Sequence, residues 1–213
     1  MKLEELFQKR QAGPLFIENR HAVLIPLIRV QGDLRILFEK RAADLRTQPG
    51  EISFPGGSIE EGESPRQAAL REAMEELNLE ESQIEIYGEA DYVIRRDGRA
   101  VRAFVGEIRG LDLEDIRPNP REVDHVFAVP LDFFLKEEPQ AYDLKTSLNL
   151  PENFPLGLIP GGRDYPWSLT KERIYFYSWQ DYVIWGMTAG LTLGLVQVIK
   201  KVTILDLSPN CNN

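Results

Sequence analysis

The residues best suited to chemistry are three glutamates that follow a Pro-Gly-Gly turn. Glu72 and Glu76 lie four residues apart, so on a helix they share one face, and Glu75 flanks that face. Three carboxylates this close repel one another unless positive charge lies among them. Arg71 can offset one charge, most simply that of Glu75 at four-residue spacing. A hard divalent cation such as Mg²⁺ would offset the rest, because it prefers carboxylate oxygens and keeps waters and phosphates as its other ligands.

The stretch that carries these carboxylates has the start and stop signals of a short helix. Ser64 suits the N-cap, Pro65 suits the first helical position, and Gln67 completes a capping box. Asn78 stands where the helix should end, because Asn tolerates the left-handed conformation of a C-cap. Apolar residues recur at helical spacing and predict a buried stripe, formed by Leu70, Ala73, Met74 and Leu77.

An ordinary acidic, solvated helix face is the alternative interpretation. The ordered spacing argues against it: five residues separate Gly57 from Glu63, and seven more precede the Arg71-Glu72 pair. With the glutamates that follow, this set resembles the Nudix box of the Nudix hydrolases, metal-dependent enzymes that cleave nucleoside diphosphates linked to another moiety. The family usually has Gly where this chain has Asn78, a mild change if the position needs left-handed backbone.

The resemblance implies a role for each polar residue of the box. Mg²⁺ or Mn²⁺ would be held by the helix carboxylates, which are Glu72, Glu75 and Glu76. Glu63 would support the site through water or a second metal, and Arg71 would orient a carboxylate. A metal-bound or carboxylate-activated water would attack one phosphorus. The general base is left open among Glu72, Glu75 and the loop residue Glu122.

The residues before the box resemble one branch of the family, the coenzyme A pyrophosphatases. The shared positions are Arg41-Ala42, Arg46, Gly50 and Phe54-Pro55-Gly56-Gly57. The opening departs, because the branch prefers Leu-Leu-Thr where this chain has Leu37-Phe38-Glu39. Residues 185–189 also look like that branch, and the resemblance covers roughly residues 22–200.

This resemblance predicts the substrate-binding residues and the reaction. Arg41 and Arg46 would meet substrate phosphates, with ordinary surface arginines as the alternative. Gly56 and Gly57 would let the backbone approach the site closely. The expected reaction splits coenzyme A, or a derivative, into adenosine 3′,5′-bisphosphate and 4′-phosphopantetheine. The competing functions are a pyrophosphatase for ADP-ribose, a nucleotide sugar or a nucleoside triphosphate, and a Nudix-fold binding module without turnover. Such a module would be expected to lose box carboxylates.

The amino-acid composition limits the kinds of molecule that the chain is expected to bind. Its 213 residues carry a formal net charge of −9, which argues against a nucleic-acid binder. A phosphorylated small-molecule nucleotide remains a suitable substrate, because a metal and a few arginines can reverse the field in one cleft. The lone Cys211 cannot form an intrachain disulfide, and the N-terminal residues have no secretory apolar core. We therefore expect a cytoplasmic protein, and a homodimer is left open.

One uncharged stretch, residues 182–199, has the length of a membrane span and glycines at four-residue spacing. Its polar residues and its aromatic, β-branched start favour a buried strand at 182–185 followed by a helix. No membrane insertion is expected.

The remaining pattern predicts an α/β fold with a mixed sheet, and the resemblance implies the Nudix α/β/α sandwich. One domain is expected over 1–213, with its core at 20–202 and a tail at 203–213. A hairpin is expected at 22–38, with Pro26 marking a bulge or a sheet edge. The C-terminal helix is expected to end near Val202. Further strands are predicted at 84–87, 91–94, 100–108, 123–129, 173–179 and 181–185.

Overall fold

A computed structural model describes residues 3–9, 15–17, 19–95, 97–145, 147–167 and 171–207. The chain divides into two compact units, Met1–Phe133 and Phe134–Asn213. The expectation of one domain over 1–213 stays a prediction, and Cys211 lies outside the described residues.

The first unit contains an eight-stranded mixed sheet. Its central strands run in the order β3-β2-β1-β7-β5, while β4 pairs with β1, β6 with β7, and β8 with β2. The strands are β1 (Asn19–Val30), β2 (Asp33–Arg41), β3 (Ile52–Ser53), β4 (Gly56–Ser58), β5 (Ile84–Glu89), β6 (Val93–Ile94), β7 (Arg99–Ile108) and β8 (Val123–Pro130). The pairing of β1 with β7 is parallel and the other pairings are antiparallel. The predicted α/β class and mixed sheet are confirmed.

Strand β1 lies in the centre of the sheet, so the expectation that Pro26 marks a bulge or an edge is wrong. On one side β1 pairs continuously with β7, and Pro26 lies opposite Gly106. On the other side residues 21–23 pair with β4 and residues 27–30 pair with β2. Pro26 therefore lies between the segment of β1 that pairs with β4 and the segment that pairs with β2, so its missing N–H removes a hydrogen bond from neither of these two pairings.

Helix α2 (Pro65–Leu77) carries the predicted carboxylates, and its caps are those expected from the sequence. Ser64 and Gln67 form the capping box, and Asn78 adopts the left-handed conformation with φ 50° and ψ 49°. The Asn78 side chain also donates to the Arg117 carbonyl at 2.8 Å. The apolar stripe of α2 packs into the core of the first unit through fully buried Ala73 and Leu77. This packing fixes the rotation of the helix and so the direction in which its carboxylates point.

The second unit contains a three-stranded antiparallel sheet in the order β11-β10-β9. Its strands are β9 (Gln140–Lys145), β10 (Lys171–Trp179) and β11 (Tyr182–Trp185). The sequence analysis did not predict β9, whose described side chains are all exposed and show no alternation of buried and exposed positions. Pairing with β10, not an internal hydrophobic pattern, makes this segment a strand.

The remaining helices are α1 (Leu3–Lys9), α3 (Leu131–Lys136) and α4 (Gly186–Leu207). The strand predicted at 182–185 and the helix after it are both present, and α4 packs on β10 and β11. The helix continues five residues beyond Val202, into the predicted tail. Among the described residues, no helix combines the length and apolar character that a membrane crossing requires.

Candidate active site

The inward carboxylates of α2 lie against the glycine turn and β4. Glu76 is 3% exposed, and its carboxylate accepts a hydrogen bond of 2.7 Å from the Gly56 backbone N–H. The carboxylate of Glu72 lies so close to Gly57 that a Cβ on that glycine would overlap it. The Pro-Gly-Gly turn therefore lets backbone and carboxylates approach as predicted, because neither glycine carries a side chain.

Arg71 is the cation of the outer part of the cluster. Its guanidinium donates to Glu63 at 3.0 and 3.1 Å, to Glu72 at 2.9 Å and to the Ser58 carbonyl at 3.1 Å. Its contact with Glu75 is longer, 3.4 Å, and Glu75 is largely exposed. The expected contact between Arg71 and Glu75 at four-residue spacing is present, but the shorter bonds of Arg71 go to Glu63 and Glu72, because the loop at 58–63 folds over the helix. The prediction that Arg71 orients a carboxylate agrees with these bonds.

A residue that the sequence analysis did not assign to the site, Glu39, lies fully buried on β2. One carboxylate oxygen accepts from the Ser53 hydroxyl at 2.8 Å, and the other has no hydrogen-bond partner in the part of the chain that is described. Arg41 Nη1 lies 4.0 Å from Glu39 and 3.9 Å from Glu76. The sequence did contain a signal for this buried carboxylate. Glu39 directly follows an apolar run at 36–38 in which successive residues on both faces of the strand are buried.

Burial shifts the proton affinities of this cluster. Burial and the neighbouring Glu39 raise the pKa of Glu76 to about 9, and burial raises the pKa of Glu39 to about 7. Burial also raises the pKa of Glu72. The opposite holds at the outer edge, where the hydrogen bonds from Arg71 lower the pKa of Glu63. Arg71 therefore favours the ionised form of Glu63, whereas burial disfavours the ionised forms of Glu39 and Glu76.

The other predicted site residues are placed at different distances from this cluster. Arg41 ends β2 beside the carboxylates, and its Nε is buried without a hydrogen-bond partner among the described residues. Arg46 is exposed in the 42–51 loop and makes no side-chain bond with the described part of the chain. Glu122 accepts from Asn119 at 3.0 Å, and its charge acts on both Glu39 and Glu72. The structure thus places Arg41 and Glu122 beside the box carboxylates, and it shows no bond between Arg46 and them in the described part of the chain.

The donor set suits a hard divalent cation. Among the described residues, five carboxylates lie against two guanidiniums, those of Arg41 and Arg71, and the charge of Glu122 acts on the same cluster; the five are Glu39, Glu63, Glu72, Glu75 and Glu76. Within the same residues, no group of three acidic, His or Cys side chains is already arranged to hold a metal ion. Excess negative charge and an unpaired buried oxygen nevertheless fit Mg²⁺ or Mn²⁺. Ligation by Glu72, Glu75 and Glu76 stays a prediction.

We expect the metal-free protein to lose stability as pH rises from about 4.5 to about 9. The raised pKa values mean that the folded state binds more protons than the unfolded state in this window, so deprotonation disfavours folding. Melting temperature measured in EDTA should fall between pH 5.5 and pH 8.5. Glu76→Gln should flatten that slope, because it removes the most perturbed group. An unchanged slope in this variant would show that Glu76 does not set the pH dependence.

Two neighbouring glycines should respond differently to alanine. In Gly56→Ala the new Cβ would overlap the backbone of Ala22 and Val23 in the paired strand, so stability should fall by about 1–3 kcal/mol. In Gly57→Ala the Cβ would meet only the flexible carboxylate end of Glu72, so stability should change by less than about 1 kcal/mol. Displacement of that carboxylate should weaken Mn²⁺ binding. Urea unfolding and Mn²⁺ titration measure the two effects, and equal stability losses would contradict the assignment.

Comparison with known proteins identifies the family. The family model described as the NUDIX domain matches residues 18–147. Nudix hydrolase 15, mitochondrial, of Arabidopsis thaliana is 31% identical over 189 residues, covering 86% of this chain and 59% of that protein. The peroxisomal coenzyme A diphosphatase NUDT7 of Mus musculus is 33% identical over 201 residues, covering 90% of this chain and 72% of that protein. The chain spans 49–64% of the length of the first three relatives, from Arabidopsis and Caenorhabditis elegans.

A solved MutT/nudix family protein from Enterococcus faecalis shares the fold, with a TM-score of 0.51 and 12% identity over 96% of this chain and 70% of its own. Together with the family match and the carboxylate-bearing helix on its glycine turn, this similarity leads to one conclusion. The chain belongs to the Nudix hydrolase family.

Proposed function

We propose that this Nudix hydrolase cleaves the diphosphate bond of coenzyme A or its derivatives, with Mg²⁺ or Mn²⁺ as cofactor. The observation that carries the hydrolytic function is the inward pair Glu72 and Glu76, held beside the Gly56-Gly57 backbone. A bound divalent cation supplies charge neutralisation at the diphosphate. Glu72 and Glu76, with Glu75, would hold it.

The residues of the chain prepare the site in three ways. The Gly56 N–H holds one oxygen of Glu76 at 2.7 Å, which fixes the direction of that carboxylate. Arg71 binds Glu63 and Glu72 together, and so restrains both side chains. Arg41 offers a buried Nε–H without a partner among the described residues, a donor suited to a phosphate oxygen. The acceptor of the water proton is left open among Glu72, Glu75 and Glu122.

The choice of coenzyme A rests on the residues before the box and on one relative. Arg41, Arg46 and the Phe54–Gly57 segment have the spacings of the coenzyme A pyrophosphatase branch. The mouse relative named a coenzyme A diphosphatase covers 90% of this chain. The second candidate is a pyrophosphatase for ADP-ribose, a nucleotide sugar or a nucleoside triphosphate, because the box itself does not discriminate between the groups attached to the diphosphate.

Location and assembly are further parts of the proposal. A cytoplasmic location stays a prediction, since the relatives compared above carry the names peroxisomal and mitochondrial. A homodimer likewise stays open. The substrate partner is a small nucleotide, in agreement with the family.

Activity should require a divalent cation and Glu76. Glu76→Gln keeps the shape of the side chain and removes its charge, so kcat should fall at least about 100-fold at saturating Mg²⁺. The fold should survive, because a neutral amide relieves repulsion with Glu39. Steady-state kinetics with circular dichroism as the fold control provide the measurement. Turnover near that of the wild type would rule out Glu76 as a ligand.

Coenzyme A should be hydrolysed faster than dephospho-coenzyme A, ADP-ribose or ADP-glucose. Coenzyme A carries a 3′-phosphate that needs a cationic donor away from the metal, and exposed Arg46 is free to provide one. Loss of one charge-assisted contact costs about 1.5–3 kcal/mol, or about one to two decades in kcat/KM. Arg46→Ala should therefore slow coenzyme A selectively and dephospho-coenzyme A less.

The matched control is Arg66→Ala, which removes another exposed arginine that makes no side-chain bond within the described residues. It should leave the ratio of the two kcat/KM values unchanged. A tenfold preference for ADP-ribose or a nucleotide sugar would overturn the coenzyme A assignment and leave the diphosphatase proposal standing. Equal slowing of both coenzyme A forms by Arg46→Ala would show that Arg46 does not read the 3′-phosphate.

A further inference from the structure

Glu39 is a buried carboxylate in which one of the two oxygens has no hydrogen-bond partner among the described residues. It has no exposed surface, and its neighbours on β2 form a fully buried apolar run at 36–38. Ser53 satisfies one oxygen at 2.8 Å, while Oε2 has no hydrogen-bond partner among the described residues. A buried carboxylate oxygen without a partner is costly, and native proteins seldom keep one without a ligand or an ion to meet it.

The nearest positive charge does not resolve this cost. Arg41 Nη1 lies 4.0 Å from Glu39 and 3.9 Å from Glu76, beyond hydrogen-bond distance of both. One guanidinium thus stands between two buried carboxylates and donates to neither. Arg71 is bonded to Glu63 and Glu72 instead. Among the described residues, Glu39 and Glu76 therefore have no cationic group within hydrogen-bond distance.

The sequence pattern of the coenzyme A pyrophosphatase branch has a neutral Thr at the position of Glu39, so this chain departs from the pattern by a buried carboxylate. A single proton shared by the two carboxylates would also lower their repulsion, but it offsets only one charge. A divalent cation can bind an oxygen of each carboxylate and offsets two charges.

We propose that Glu39 is an additional carboxylate ligand of the metal site, sharing a divalent cation with Glu76. The proposal rests on the metal-dependent function proposed above. It gives this chain a site with one more negative charge than the box alone provides, and so a tighter hold on the cation.

The test is metal binding by the full chain without substrate. The protein is stripped with EDTA and titrated with MnCl₂, and free Mn²⁺ is followed by electron paramagnetic resonance. Glu39→Gln keeps the shape of the side chain and should weaken Mn²⁺ binding by about 10- to 100-fold, or remove one Mn²⁺ from the stoichiometry. The increase in melting temperature on adding Mn²⁺ should shrink in parallel. Glu39→Thr, the residue of the branch pattern, should give the same loss and serves as the second variant if the glutamine does not fold.

Two controls separate ligation from structure. Ser53→Ala removes the hydrogen bond to Glu39 and keeps its charge, so Mn²⁺ affinity should stay within about threefold of the wild type. Glu85→Gln removes an exposed carboxylate on β5, three strands away from β2 in the sheet, and should change nothing. Affinity and stoichiometry of wild type in both folded Glu39 variants would overturn this inference alone. Absence of Mn²⁺ and Mg²⁺ binding by the wild type would instead overturn the metal-dependent function.

Discussion

Carboxylates that are buried close to one another repel, and the first unit contains such a group of carboxylates. Helix α2 turns its apolar stripe into the core, which leaves Glu72 and Glu76 facing β4 and the glycine turn. The sheet then adds a third buried carboxylate, Glu39, from β2. Glu39 and Glu76 are both buried, so water screens their repulsion little. Under the proposed function, a bound divalent cation would relieve this repulsion.

The two arginines divide the cluster into parts with different properties. Arg71 is bonded to three carboxylates of the box and the 58–63 loop, and these bonds restrain the outer part of the site. Arg41 lies between the inner carboxylates without bonding to either, and its buried Nε is unpaired among the described residues. Arg71 therefore uses its donors within the site, whereas Arg41 keeps a donor without a partner among the described residues, which the proposed function assigns to a substrate phosphate.

Family membership and substrate choice depend on different parts of the molecule. The hydrolase family follows from the box, whose residues lie together on α2 and the preceding loop. Discrimination between diphosphate substrates needs groups that contact the attached moiety, and the proposed function assigns that role to residues before the box. Arg41 belongs to the end of a paired strand, whereas Arg46 belongs to an exposed loop. The proposed selection of coenzyme A therefore depends on one arginine at the end of a strand and one in an exposed loop.

Local sequence patterns by themselves determined the limits and caps of α2, the left-handed Asn78, the hairpin of β1 and β2, and the mixed α/β class. The caps and the hairpin depend on residues close together in the sequence, where propensity and periodicity act directly, and the α/β class follows from the order of such local elements. Tertiary structure alone decided that Pro26 falls between two partners, that β9 is a strand, and that Glu63 is closer to Arg71 than Glu75 is. It also brought Glu39 to Glu76. These contacts join residues distant in sequence, and their geometry is set by sheet register and helix packing, which no local pattern encodes.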